Sequence, residues 1–401
     1  KASLIEGGVV ETTSEYEVGG SGNASRWLHG TGHPIRVPVI DLAEVSAGGG
    51  SIAWLDPAGA LRVGPGSAGA EPGPVCYGNG GTQPTVTDCD VVLGFLSGDA
   101  LLGGDLGIDL PAARAAIDTH LATPLGLSVE AAASGVLNVV NASMAEALRI
   151  VSVERGYDAR EFALVAFGGA GPVHAAALAD ELEIPRVIIP PVPGAFSALG
   201  LVGSDLKREY SRTFYIPTAQ ANPEKFSAAF RPLESTARQM IAQSGLDAAN
   251  WSLERSADCR YMRQAYELNI GVRDGDLDAS AIDEVARAFH EKHLATYGHS
   301  HPEDPVQLVN VRVSAVGRLN SLTLKSTTAE PGLDARIGTR TIFFEPTAPV
   351  ECDVVARVRL AAGATVPGPC VIESMDTTVL IPPHWKAEVD NSGFIVMERQ
   401  S

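Results

Sequence analysis

The run Phe162-Ala-Leu-Val-Ala-Phe167, followed at once by Gly168-Gly-Ala-Gly-Pro172, constrains the fold of this chain more than any other feature. Six continuously apolar residues are too few for an amphipathic helix and lack the alternation of a half-exposed strand, so they read as a buried strand of a parallel sheet. Pro172 suits the first turn of a helix, Val173 to Leu182 continue it, and Arg186-Val-Ile-Ile189 is the next strand. Strand, glycine turn, helix, strand is the repeating unit of parallel sheets, so the N-terminal part is α/β. Upstream, Ala132, Val136, Val139, Val140, Ala147 and Val151 recur at helical spacing. With Ser128 as N-cap and Gly156 as stop they predict one long helix with a buried face.

A chain of 401 residues holds more than one small domain, and its glycines are unevenly spread, 32 of 42 lying before Asp205. The expected division is residues 1–205 and 206–401. In the second part Pro223 to Ser244 and Asp278 to Tyr297 carry helical patterns, while Ala257 to Val272 and Leu308 to Val316 alternate as strands. From about residue 340 only short strands separated by Pro and Gly turns remain, which predicts an α+β block with an all-β end.

Charge excludes some partners. Thirty Lys and Arg against 48 Asp and Glu give 30 − 48 = −18, which argues against a nucleic-acid groove or an anionic membrane surface. Val187 to Ser204 carries no charge, but Pro190, Pro191 and Pro193 interrupt it and it falls short of the roughly 20 residues of a membrane span. Five cysteines, at 76, 89, 259, 352 and 370, form no C-x-x-C pair and are odd in number. Buried thiols in a reducing, cytoplasmic compartment are expected.

Two glycine runs are the best candidates for chemistry. Glycines after a parallel strand let backbone N–H groups face an anion while the following helix adds its dipole, so Gly168, Gly169 and Gly171 are candidate phosphate contacts. A tight crossover needing small residues explains the same run. Gly48-Gly49-Gly50-Ser51 enters the apolar stretch Ile52-Ala-Trp54 and offers either consecutive amides to a phosphate or a flexible hairpin. Neither run is G-x-G-x-x-G or G-x-x-x-x-G-K-[ST], the dinucleotide and P-loop fingerprints. Val63 to Gly78 is too rich in Gly and Pro for regular structure and too apolar for a disordered linker, which predicts a long ordered loop. After it, Asp88 and Asp90 are read either as holding a metal through water or orienting a substrate, or as a carboxylate that begins a helix as its N-cap. His290, His293, His299 and His301 tempt one to draw a metal site, but helical geometry turns His290 away from His293 and favours packing. No base is assigned for catalysis.

The words Ala47-Gly-Gly-Gly-Ser-Ile-Ala-Trp-Leu-Asp56, Val63 to Gly78, Pro84-Thr-Val-Thr-Asp88, Ala166-Phe-Gly-Gly-Ala-Gly-Pro-Val-His-Ala175 and Pro193-Gly-Ala-Phe-Ser-Ala-Leu-Gly-Leu201 resemble the hydantoinase A/5-oxoprolinase family, acetone carboxylase subunits included. Arg260 to Leu268, His293 to His299 and Gly368 to Thr378 resemble its C-terminal domain. The resemblance implies part of an actin-like, ribonuclease H-like ATPase domain followed by an α+β/all-β domain. It implies that ATP and Mg²⁺ activate a carbonyl or cyclic amide oxygen by phosphorylation, with a B-type subunit completing hydrolysis or carboxylation. It places Gly168 to Gly171 at the nucleotide. The family's two Asp-x-Gly-Gly-Thr hairpins do not occur here, and Lys1-Ala-Ser-Leu-Ile-Glu-Gly-Gly resembles the residues just after the second hairpin. The first lobe is therefore expected to be missing, leaving either an inactive C-terminal portion or an assembly module that docks the B-type subunit. Ser46 and Arg263 stand where the family pattern leads one to expect glycine.

Overall fold

The computed structural model describes the chain except residues 11, 14–15, 19–32, 36–38, 41, 46, 244, 246, 265, 320–333 and 401, so Ser46 lies outside the described residues. Two compact units are present, Lys1–Leu199 with Leu324–Ser401, and Gly200–Thr323. In chain order the first contains hairpin strands β1 (Ser51–Leu55) and β2 (Leu61–Ser67), helices α1 (Val86–Val92), α2 (Leu110–Ile117) and α3 (Val129–Val151), then β3 (Ala163–Val165), α4 (Gly171–Glu181) and β4 (Arg186–Ile189). Part of the expected glycine-proline loop is thus strand, because Leu61 to Val63 pair with Ala53 to Leu55.

Helix α3 matches the pattern read for it. The Ser128 hydroxyl accepts from the Ala131 amide at 3.1 Å, and Gly156, at φ +85°, ends the turn beyond the helix. Ala132, Val136 and Val140 are fully buried with Val86, Cys89, Ile117 and Leu121. Burial of each valine contributes about 1.5–3 kcal/mol relative to exposure. The stretch Val129–Arg155 is long and apolar enough to cross a bilayer, yet this face of it lies in the protein core.

After helix α5 (Phe196–Val202) the second unit comprises β5 (Leu206–Pro217), α6 (Pro223–Gln243), β6 (Trp251–Tyr261), β7 (Leu268–Val272), α7 (Ala279–Tyr297) and β8 (Val306–Gly317). Its four strands form an antiparallel sheet in the order β5-β8-β6-β7. Phe226, Phe230, Val285 and Phe289 from the helices close over Val311 and Val313. Inside this unit the buried Asp258 receives both Arg312 Nε contacts at 2.8 and 2.9 Å, Asn310 at 2.9 Å and Asn269 at 3.0 Å, and Arg312 also pairs with Glu209.

The chain then supplies β9 (Arg336–Glu345), β10 (Ala348–Ala356), β11 (Thr365–Pro367), β12 (Cys370–Glu373), β13 (Thr378–Ile381), β14 (Trp385–Val389) and β15 (Ile395–Arg399). The all-β character expected of this end holds, but the end is not a continuation of the second unit. β15 pairs antiparallel with β4, Val187 opposite Met397, giving a five-stranded sheet β3-β4-β15-β14-β11. Val187, Ile189, Ile395 and Met397 are all fully buried, and that shared apolar face ties β15 to the first unit.

β3 is parallel to β4, as the sequence predicts. It is not a central buried strand. The β4 neighbour on the other side is β15, so β3 is the sheet edge, with Val165 and Phe167 each 44% exposed.

Candidate functional site

The turn after β3 is held from three sides. Gly168 has φ +89°, a left-handed conformation suited to glycine, and its amide donates to Pro193 O at 2.8 Å. The Thr377 hydroxyl donates to Gly169 O at 2.8 Å. Asp376, its neighbour, accepts from Gly194 N at 2.7 Å, and a Cβ on Gly194 would meet Asp376 at 2.8 Å. Arg357 fixes the adjoining segment through Pro190 O at 2.7 Å and Gly393 O at 3.0 Å. Burial pulls its pKa down to about 10 while Asp376 pulls it up, so it stays charged at neutral pH.

Within the turn these contacts engage the Gly168 amide and the Gly169 carbonyl. Among the described residues none accepts a hydrogen bond from the amides of Gly169, Ala170 or Gly171. Consecutive unpaired N–H groups at the start of an eleven-residue helix are the type of donor that can receive an anion.

The other glycine run lies beside it. Gly48 and Ser51 close a turn through Ser51 N to Gly48 O at 2.9 Å and Gly48 N to Ser51 Oγ at 3.0 Å. Gly49 O receives the Thr87 amide at 2.9 Å, fixing the turn on the start of α1. A Cβ on Gly49 would lie 2.6 Å from Thr87 Oγ1 and 3.8 Å from the Ala170 Cβ. Gly50 would meet Ser67 Oγ at 3.1 Å. The run Gly48, Gly49, Gly50 and Ser51 is thus an ordered hairpin entry with close backbone packing, and Gly49 brings it beside Ala170 of the Gly168–Gly171 turn.

Asp88 does something else. Its carboxylate accepts from the amides of Val75 (3.2 Å), Cys76 (2.7 Å) and Thr85 (2.8 Å) and from the Thr85 hydroxyl (2.8 Å), in a fully buried capping box. Four protein donors occupy this buried carboxylate, three on Oδ2 and one on Oδ1, so it serves as the third-residue partner of a capping box whose N-cap is Thr85, and not as the N-cap itself. All five cysteines are free and buried, and burial pushes the Cys76 and Cys89 thiols up, away from nucleophilic character.

The histidines of the second unit are packed. His293 Nδ1 donates to His299 O at 2.7 Å. The Tyr261 hydroxyl accepts from the His301 amide at 2.7 Å and reaches His290 Nδ1 at 2.8 Å. Among the described residues no group of three or more His, Cys, Asp or Glu is placed to hold a metal ion.

Two sets of residues escaped the sequence reading. Asp376, Thr377 and Gly194 support the turn from segments remote in sequence, visible beforehand only as family words. His174 and Asn141 form a polar cluster beneath it with Asp90, which lies inside α1 and not at its N-cap; the histidine of Gly171-Pro-Val-His174 is the only signal of the partners.

Fold and site together define an α/β module in which one glycine turn, at 168–171, leaves three backbone amides without a partner among the described residues and a second, at 48–51, packs against it. The chain belongs to the hydantoinase/oxoprolinase family, whose model matches residues 1–210, with the family's C-terminal domain over residues 217–399. It is 42% identical over its whole length to an uncharacterized protein of Methanocaldococcus jannaschii, covering 57% of that protein. It is 38% identical to the caprolactamase alpha subunit of Pseudomonas jessenii over 93% of this chain and 55% of the relative. A crystal structure of the ATP-dependent caprolactamase from that organism superposes with a TM-score of 0.76 at 35% identity, covering 95% of this chain and 56% of its own. The acetone carboxylase beta subunit of Xanthobacter autotrophicus is 30% identical over 89% of this chain and 52% of its own. The chain therefore spans little more than half the length of these relatives.

Proposed function

We propose that this chain is the C-terminal portion of the A-type subunit of an ATP-dependent hydantoinase, oxoprolinase or ketone carboxylase. The parent enzyme would phosphorylate a carbonyl or cyclic amide oxygen, with a B-type subunit completing hydrolysis or carboxylation in the cytoplasm. The observation that carries the reading is the turn at 168–171, whose Gly169, Ala170 and Gly171 amides are left free to receive phosphate oxygens, with Gly49 of the 48–51 turn packed beside it. Relatives named as subunits of caprolactamase and acetone carboxylase support the reaction class and a hetero-oligomer.

The amides of Gly169, Ala170 and Gly171, with the 48–51 turn beside them, fit one face of ATP, which supplies a transferable phosphoryl group. The residues described do not fit Mg²⁺, because the Asp88 carboxylate is buried and engaged by four protein donors, Asp376 is engaged by the Gly194 amide, and no group of three or more acidic, His or Cys residues gathers to hold a metal. Phosphoryl transfer depends on donors and metal placed around the γ-phosphate. Amides from one side cannot supply that arrangement, so this chain alone is expected to be inactive. The unpaired edge of β3, with Val165 and Phe167 exposed, is a place for further polypeptide to wall in the turn.

Calorimetric titration of Mg-ATP and Mg-ADP tests this. The 401-residue chain should show no binding, and a chain of the full length of its relatives should bind. Unaided binding with micromolar affinity, about −8 kcal/mol, would mean that the turns form a complete site and that the half-site reading is wrong.

A further inference from the structure

Beneath the two turns lies a polar cluster that the proposed chemistry does not use. Asp90, on α1, is 1% exposed and His174, on α4, 2% exposed. Their nearest polar atoms, Asp90 Oδ2 and His174 Nε2, are 3.9 Å apart. Neither Asp90 Oδ1 nor His174 Nε2 has a hydrogen-bond partner among the described residues. The other ring nitrogen, His174 Nδ1, meets Asn141 Oδ1 of α3 at 2.9 Å. An amide oxygen only accepts, so Nδ1 carries the ring hydrogen and Nε2 of the neutral ring keeps a lone pair.

An acceptor facing an acid selects the proton's position. The titratable groups interacting with Asp90 are Cys76 and Cys89 from its own region and His174 from α4; α3 contributes the neutral Asn141. No lysine or arginine pairs with Asp90 among the described residues. Burial raises the Asp90 carboxyl well above its ordinary value and lowers His174 to about 4. Both shifts favour the uncharged forms, and a buried unpaired charge is far costlier than a buried hydrogen bond.

We propose that Asp90 is a neutral carboxylic acid that gives its hydrogen to His174 Nε2, and that this uncharged pair is a clasp between the helices behind the two turns. Asp90 lies three residues after Thr87, which packs on Gly49, and His174 four after Ala170. Closing the remaining gap therefore draws the 48–51 and 168–171 turns into register. Asp90 and His174 act as positioning residues. Their bearing on nucleotide rests on the function proposed above, whereas the place of the proton does not.

The test uses the whole chain without nucleotide. Infrared spectra at neutral pH should contain the carbonyl stretch of a protonated acid that Asp90→Asn removes. Nitrogen-15 spectra should show His174 as the Nδ1–H tautomer, without titration between about pH 5 and 8. Asparagine keeps a donor for Nε2, so Asp90→Asn should leave amide exchange at 48–51 and 168–173 within about twofold of the parent, whereas Asp90→Ala should accelerate it about tenfold or more. Absence of the acid band, or Asp90→Asn exchanging as fast as Asp90→Ala, would overturn the proposal. Should the alanine variant fail to fold, the spectra of the parent and the asparagine variant decide alone. A full-length protein that bound no nucleotide would remove the proposed function and leave these readouts unchanged.

Discussion

Asp90 and Asp258 are the same residue type at nearly the same burial, 1% and 3% exposed, and the protein treats them in opposite ways. Asp258 is surrounded by donors, with Arg312 on both oxygens and Asn269 and Asn310 beside it. Among the described residues Asp90 is paired with no lysine or arginine, its Oδ1 has no hydrogen-bond partner, and its Oδ2 faces an imidazole nitrogen at 3.9 Å. Burial alone does not set a carboxyl's charge; the donors gathered around it do. The second unit therefore holds an ionic network, and the first a proton between neutral groups.

The largest break in that contrast comes from removing the cation. Arg312→Met would leave Asp258 and Glu209 facing each other in a buried site without compensation, and stability of the second unit should fall by about 3–5 kcal/mol. Hydrogen exchange along β6 and β8 measures it. Combining Arg312→Met with Asp258→Asn should restore part of the loss, because the stranded charge goes with it. A loss below about 1 kcal/mol would show that the network contributes little and that the two aspartates differ less than their contacts indicate.

A smaller effect sharpens the other side. Asp90 has a folded pKa raised from 3.8 and His174 one lowered from 6.5 to about 4. Between about pH 4 and 6.5 the folded pair holds one proton, on Asp90, and the unfolded pair also holds one, on the histidine, so the pair adds no slope. Above pH 6.5 the unfolded pair holds none while the folded pair keeps its proton. Stability of the first unit should then fall with rising pH, by at most about 1.4 kcal/mol per unit, until Asp90 ionises. Asp90→Asn should abolish that fall and uncover the histidine's own effect, a loss of stability as pH drops from 6.5 to 4. Denaturant unfolding across pH checks both limbs. An alkaline slope that survives the substitution would locate its source elsewhere.

Legibility from the residues alone divides along the same line. Local order was legible: the Ser128 cap, the parallel strands around the 168–172 turn and the helices of the second unit are properties of short windows. Pairings set by distant segments were not. Nothing within Phe162–Phe167 tells that its strand is an edge, because that depends on Ile395–Arg399 arriving beside Arg186–Ile189. Gly49 and Ala170 give no sequence sign of lying together. The capping role of Asp88 was legible from its place at a helix start, whereas the opposite fates of Asp90 and Asp258 depend on partners supplied by other elements.

Arg263 is the smallest test and involves the strand that carries Asp258. The family pattern leads one to expect glycine there, and in the turn after β6 Arg263 has φ +74°, a left-handed conformation that costs a side-chain-bearing residue about 1–2 kcal/mol. The turn is closed by Gln264 N to Tyr261 O at 3.1 Å and tied by Met262 N to Pro305 O at 3.1 Å, so the backbone is fixed by its neighbours. Arg263→Gly relieves the strain but enlarges the unfolded ensemble, and the expected gain is about 0.5 kcal/mol. Arg263→Ala keeps the strain and should gain nothing, which separates backbone from side chain. If the Asp258 network is held by its own donors rather than by the turn, Arg263→Gly and Arg312→Met should add within about 0.5 kcal/mol. A larger coupling would mean that the turn helps to position Asp258, and that its contrast with Asp90 depends on backbone geometry as well as on charge.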